Sequence, residues 1–191
     1  MYNLIGDDMK KKILIGIIIL LVIGLCITLL LFNKSKGLKK QLDYYKLTKE
    51  KIDSMNEYTL NVQISRIGDE VSDISLNYMI EKDNFVLDVY KNGENNFYQY
   101  YDKKYYMATE QVDSFEYSNY SIYIDLLKYI TDVKKSKNGY TGKIKSKNLN
   151  KVINTTDDGI AYLNIENDII QGVSIVSSKD TDYTININFK Y

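Results

Sequence analysis

The stretch Asn84–Met107, NFVLDVYKNGENNFYQYYDKKYYM, decides how the chain is read. Its centre, Asn92-Gly93, is the strongest short hairpin signal, because a type I′ turn needs positive φ at both central positions. A two-residue loop there sets Lys91 opposite Glu94, Val89 opposite Asn96, Leu87 opposite Tyr98 and Phe85 opposite Tyr100. Directly opposed residues share one sheet face. Phe85, Leu87, Val89, Tyr98 and Tyr100 therefore form an apolar face, and Val86, Asp88, Phe97, Gln99 and Tyr101 form the other. If the turn within Asp102–Lys104 also has two residues, Tyr105 and Met107 join the apolar face; a three-residue loop reverses them. The tyrosines are divided between two faces rather than gathered into one patch.

The same period-two alternation extends outward in both directions. Tyr58, Leu60, Val62 and Ile64 alternate with Thr59, Asn61, Gln63 and Ser65, and Ile74, Leu76, Tyr78 and Ile80 alternate with Ser75, Asn77 and Met79. Toward the C-terminus, Tyr140 to Lys145 reads as a strand and Leu149 to Ile153 as a short helical turn. Ile160 to Glu166 and Ile169 to Val176 flank Asn167-Asp168 as a second hairpin, with either face eligible for burial. Tyr183, Ile185, Ile187, Phe189 and Tyr191 alternate most cleanly.

Two segments carry helical spacing instead. Leu38, Leu42, Tyr45, Ile52 and Met55 form one stripe ahead of the strands, and Tyr123, Leu126, Leu127, Ile130 and Val133 predict an inserted helix over about 119–134, closed by basic residues and a glycine in KKSKNG. Short turns between strands, with helices on one face, give an antiparallel α+β domain.

Ile13 to Phe32, ILIGIIILLVIGLCITLLLF, is an uncharged run of twenty residues. A helix of that length covers the ~30 Å hydrocarbon core of a bilayer, which predicts a transmembrane helix over 13–32 between a short segment 1–12 and a juxtamembrane helix within 33–57. The run exceeds a secretory h-region and lacks a small-residue cleavage site, so it reads as an uncleaved anchor. Cys26 sits between Leu25 and Ile27 without the pattern of a lipidated cysteine. The expected location is the cell membrane, single-pass, with the C-terminal domain 58–191 extracytoplasmic. The bilayer is then one partner, through Ile13–Phe32.

Composition removes whole classes of chemistry. Formal net charge is zero, which argues against electrostatic nucleic-acid binding. No histidine and a single cysteine take away the usual general base, the usual zinc ligands and any disulfide framework. Asp157-Asp158-Gly159 and Lys179–Asp182 lack the ligand spacing of a calcium loop and read as turns. GYTGK at Gly139–Lys143 lacks Walker spacing. No catalytic residue, no metal site and no cofactor are expected, and the chain is read as not an enzyme.

The segments KIDSMNEYTLNVQISR (51–66), FYQYYDKKYYMATE (97–110), IDLLKYI (124–130) and AYLNIENDIIQGVSIVSS (161–178) follow the order helix, long meander, inserted helix and terminal strands. In that order residues 38–191 resemble the LolA/LolB/LppX-like half-barrel superfamily of bacterial extracytoplasmic lipid- and lipoprotein-binding domains. The resemblance implies a curved sheet around an apolar cavity plugged by helices, which holds acyl chains or meets a partner. The expected cavity lining is Phe85, Leu87, Val89, Tyr98, Tyr100, Tyr105 and Met107, and the expected function is non-enzymatic binding of a lipid-like ligand at the membrane surface. The alternative is a protein-interaction or sensory domain that docks an envelope protein through Phe97, Tyr101 and Tyr106.

Overall fold

A computed structural model describes residues 18–31, 44–67, 72–179 and 182–191. The chain divides into two compact units, Met1–Gly37 and Leu38–Tyr191. In the first, residues 18–31 are helical. The expected transmembrane helix over 13–32 is corrected here, and with it the single-pass cell-membrane location with an outside C-terminal domain. Among the described residues no helix is long and apolar enough to cross a membrane. Residues 13–17 and 32 of the expected span lie outside the described residues, as do residues 1–12 and 33–43.

The second unit is built on one open antiparallel sheet of eleven strands. In chain order these are β1 (Glu57–Arg66), β2 (Ser72–Glu81), β3 (Asn84–Lys91), β4 (Glu94–Tyr101), β5 (Lys104–Met107), β6 (Glu110–Val112), β7 (Thr131–Ser136), β8 (Gly139–Ile144), β9 (Gly159–Glu166), β10 (Ile169–Ser177) and β11 (Tyr183–Lys190). Their spatial order, β6-β5-β4-β3-β2-β1-β11-β10-β9-β8-β7, is two meanders joined where β1 meets β11. The α+β expectation of an anchor helix ahead of a helix-covered half-barrel therefore gives way to a fold dominated by a single large open sheet. The helical elements are short: 44–53, Ser121–Leu126 with a 3₁₀ turn Leu127–Tyr129, and Ser146–Leu149.

Two-residue turns account for the meander. Asn92 and Gly93 take φ of 52° and 90°, Asp102 and Lys103 51° and 61°, and Asn167 and Asp168 51° and 63°. These are the I′ geometries whose twist matches that of paired strands. The register is Phe85 opposite Tyr100, Leu87 opposite Tyr98 and Val89 opposite Asn96, and Tyr100 in turn lies opposite Tyr105 and Tyr98 opposite Met107. One face carries the core: Leu60, Val62, Leu76, Tyr78, Leu87, Ile185 and Ile187 are fully buried on it. The short helices contribute Tyr123, Ile124, Leu126, Leu127 and Leu149 to the same core.

Two helical readings shift. In the segment expected to be helical over 119–134, the helix stops at Tyr129 and Thr131 begins β7. Ile130 turns to extended backbone and Asp132 takes a φ of 55°, which breaks any helix and leaves a bulge between Thr131 and Lys134. Val133 completed the helical spacing in the sequence while belonging to a strand. The glycine of KKSKNG does not cap a helix. Gly139 opens β8 with a φ of 124°, and an added Cβ would stand 2.9 Å from the Leu163 carbonyl.

In helix 44–53 the buried positions are Tyr44, Thr48 and Ile52; Ile52 belongs to the expected stripe, and Tyr45 is half-buried against the core. Thr48 has its own reason to face inward. A bulge between Ile170 and Gly172 interrupts the β9–β10 ladder, and the Ile170 N–H donates to the buried Thr48 Oγ1 at 2.9 Å. The Ile170 carbonyl accepts from the Tyr191 hydroxyl at 2.6 Å. A buried backbone pair must find partners somewhere, and these two side chains supply them.

Candidate functional site

At one end of the sheet, on the helix-bearing face, a cleft of about 640 Å³ opens between the Lys82-Asp83 turn, the Asp102-Lys103 turn and residues 118–120. Phe85, Tyr100, Tyr105 and Tyr120 line it. Strand alternation explains the first three, since β3, β4 and β5 each present an aromatic ring at adjacent inward positions. Phe85 and Tyr100 stack with centroids 5.5 Å apart and Tyr100 lies 4.7 Å from Tyr105. The charges at the mouth, Lys82, Asp83, Asp102 and Lys103, alternate in sign, so the entrance has no net pull on an ion.

Of the seven residues expected to line a cavity, Phe85, Tyr100 and Tyr105 reach this cleft. Leu87 and Val89 are buried in the sheet's core, and Met107 is 43% exposed. Tyr98 stacks at 4.6 Å on Phe115, a residue the sequence reading did not select. Phe115 also meets Tyr105 at 5.4 Å and Phe85 at 6.0 Å, and Tyr120 meets Phe85 at 5.5 Å. The segment carrying these two rings thus fills the space between the inward tyrosines, and the cleft is what it leaves open. Its only sequence signal is aromatic content, Phe115, Tyr117 and Tyr120, at spacings that fit neither a strand nor a helix.

Polar tethers hold that segment. The Tyr78 hydroxyl donates to the Tyr117 carbonyl at 2.8 Å, and Lys91 Nζ donates to the Tyr117 hydroxyl at 3.4 Å with Glu116 a further 3.9 Å contact. Tyr58 shares a side-chain hydrogen bond with Tyr120. Burial, and then Tyr120 at Tyr58 and Tyr123 at Tyr78, push these two phenols far above their ordinary range; burial leads at Tyr123 also. Near neutrality these three phenols beside the segment keep their protons. Among the described residues no three side chains of metal-binding type cluster together.

The buried tyrosines fix an alkaline limit. Tyr183, buried and close to Asp157, is raised to about 12, and Tyr191 is raised by burial alone. In the unfolded chain every phenol loses its proton near 10. The stability these groups confer is therefore complete below pH 10 and falls as pH rises toward the folded values. Phenolate absorbance should rise in two phases, the later one coincident with loss of the β-sheet circular dichroism. A single phase near pH 10 with the sheet intact would contradict the burial described.

A second cleft, of about 670 Å³, lies at the same sheet end; outward Met79, Val86, Gln99 and Tyr101 and inward Ile80, Phe85 and Tyr100 line it, and it shares Asn84, Phe85, Tyr100 and Tyr101 with the first.

No family model and no curated protein matches this chain. Among solved structures, the chain is similar to a DUF1329 family protein from Desulfovibrio piger, at 10% identity and a TM-score of 0.29, over 81% of this chain and 91% of that one. It is also similar to a putative outer membrane lipoprotein-sorting protein domain from Vibrio parahaemolyticus, at 11% identity and a TM-score of 0.28, over 83% and 92%. The second is of the kind named by the sequence resemblance, and both likenesses concern fold alone.

Proposed function

We propose that the chain is a non-enzymatic binding protein whose aromatic cleft takes the apolar part of a lipid-like ligand. One observation carries this reading: Phe85, Tyr100, Tyr105 and Tyr120, from three adjacent strands and a tethered loop, converge on one opening of about 640 Å³. That volume falls within the roughly 300–1,000 Å³ of small-molecule sites. Ligand entry exchanges water on the aromatic walls for hydrocarbon, at about 25 cal/mol per Å² of apolar surface covered. The hydroxyls of Tyr100 and Tyr105 remain available to a head group at the rim.

The test is titration of the full-length chain with a dansyl-labelled fatty acid, followed by fluorescence. Tyr100→Ala and Tyr105→Ala should each weaken binding about tenfold, equivalent to about 1.4 kcal/mol. Tyr162→Ala, which removes an exposed ring elsewhere on the sheet, should leave it unchanged. Absence of binding by the unmodified chain, or equal binding by the cleft variants, rejects the reading.

A further inference from the structure

The sheet face turned away from the helices is distinguished by how little charge its centre carries. Asn188, Asn61 and Asn77 form one cross-strand row over β11, β1 and β2 that ends at Asp88 on β3, and Asn186, Gln63 and Ser75 form the next. Yet 26% of the chain is charged, and charge is the usual means of keeping an exposed face soluble. These amides are also positioned. Asn188 lies against Gly172, where an added Cβ would come within 2.6 Å of the Asn188 Oδ1. Asn77 Oδ1 is buried and has no hydrogen-bond partner among the described residues.

Toward the turn end this polar face deepens into the cleft of about 670 Å³. Met79 and Val86 give it an apolar patch, and the ring of Tyr101, 65% exposed, stands beside them. Glu57 and Glu81 are directly opposed across β1 and β2, with Lys190 on the next strand and Gln99 across on β4. Like charges directly opposite destabilise a strand pair, unless a partner brings donors to them. An anionic ligand would meet two carboxylates against one ammonium. A wholly apolar ligand would strip water from carboxylates and amides without replacing their hydrogen bonds.

We propose that this outer cleft binds a neutral saccharide. Ionised carboxylates are acceptors only and carry two oxygens each, so Glu57 and Glu81 suit paired hydroxyl donors, while the Gln99 amide both donates and accepts. The electron-rich face of the Tyr101 ring suits the C–H face of a pyranose, through the ring quadrupole. Phe97 lies four residues from Tyr101 on the same strand and face, roughly 13 Å away at the strand rise, and is 39% exposed. Two exposed rings at that separation on one strand, with Asp88 opposite Phe97 and Lys104 opposite Tyr101, match a chain of several sugars rather than one. Asp88 and Lys104 cancel in charge, which suits a polymer that has none.

The two clefts share Asn84, Phe85, Tyr100 and Tyr101, whereas Glu57, Glu81 and Gln99 line only this one, so substitution at Gln99 separates the two readings. Electrophoresis of the full-length chain through native gels containing hydroxyethyl cellulose, dextran or pullulan tests it, with heparin as the anionic comparison. At least one neutral polymer should retard the chain and heparin should not. Tyr101→Ala and Gln99→Ala should each raise the apparent dissociation constant at least fivefold, and Gln99→Ala should bind the dansyl fatty acid as the unmodified chain does. Tyr101 is mostly exposed, so its loss leaves the core intact, and a melting curve for each variant verifies that. Retardation by none of the three polymers, by heparin alone, or equally in the variants overturns the proposal. Capture of a protein through this face without saccharide retardation overturns it too.

Discussion

Tyr78→Ala is expected to lower the unfolding free energy by about 3–5 kcal/mol, the range for truncating a fully buried aromatic ring. Tyr78 is 0% exposed and its ring meets those of Phe85, Tyr120 and Tyr123 with centroids 5.9, 5.9 and 6.2 Å away. Its hydroxyl also satisfies the Tyr117 carbonyl. The substitution therefore leaves a cavity beneath the helices and an orphaned acceptor in the loop that supplies Phe115 and Tyr120. Tyr78→Phe separates the two effects: it keeps the ring and should cost about 1 kcal/mol, the net worth of one hydrogen bond. Urea denaturation of both variants, followed by circular dichroism, reads the difference. A loss below 1 kcal/mol for the alanine variant would mean that the ring is not the hub described. A domain rarely has more than about 5–15 kcal/mol to lose, so the alanine variant should sit close to unfolding.

Ile187→Asp should abolish the cooperative unfolding transition. Ile187 lies opposite Val62 on one side and Val173 on the other, and all three are buried on the core face. An uncompensated carboxylate at that position faces several kcal/mol of desolvation. The damage falls on the β1–β11 seam, where the two meanders join. Asn188→Asp introduces the same charge one residue later, at an exposed position on the other face, and should shift stability by no more than about 0.5 kcal/mol. A folded Ile187→Asp protein, or an Asn188→Asp protein equally damaged, would overturn the assignment of faces along β11.

The hairpin at Asn92-Gly93 was legible because a turn type, a residue pair and a period-two pattern all depend on neighbours in sequence. The inward placement of Tyr98 and Tyr100 follows from that turn, and that of Tyr105 and Met107 from the two-residue turn at Asp102-Lys103. The seam was not legible, since β1 and β11 are far apart in the chain and leave no mark on each other's local pattern. Hydropathy alone carried the reading of 13–32, and among the described residues no helix is long and apolar enough to cross a membrane. Val133 misled because one residue can complete a helical spacing and still sit in a strand after a positive φ at Asp132. Thr48 faces inward because of a bulge in a strand whose sequence shows only alternation. In the candidate site, the inward rings of β3, β4 and β5 could be read from parity. Phe115 and Tyr120 could not, because aperiodic loop residues are placed by long-range tethers such as Tyr78 to Tyr117.

The seam also sets a clock for synthesis. β1 (Glu57–Arg66) waits for β11 (Tyr183–Lys190), translated more than a hundred residues later, and a ribosome adding about 5–20 residues per second takes on the order of 6–25 s to deliver it. During that interval the nascent chain carries β1 with one open edge and no partner, a template for pairing with another chain. Slowing elongation after Arg66 should therefore increase aggregation of newly made protein, while leaving the finished fold unaltered.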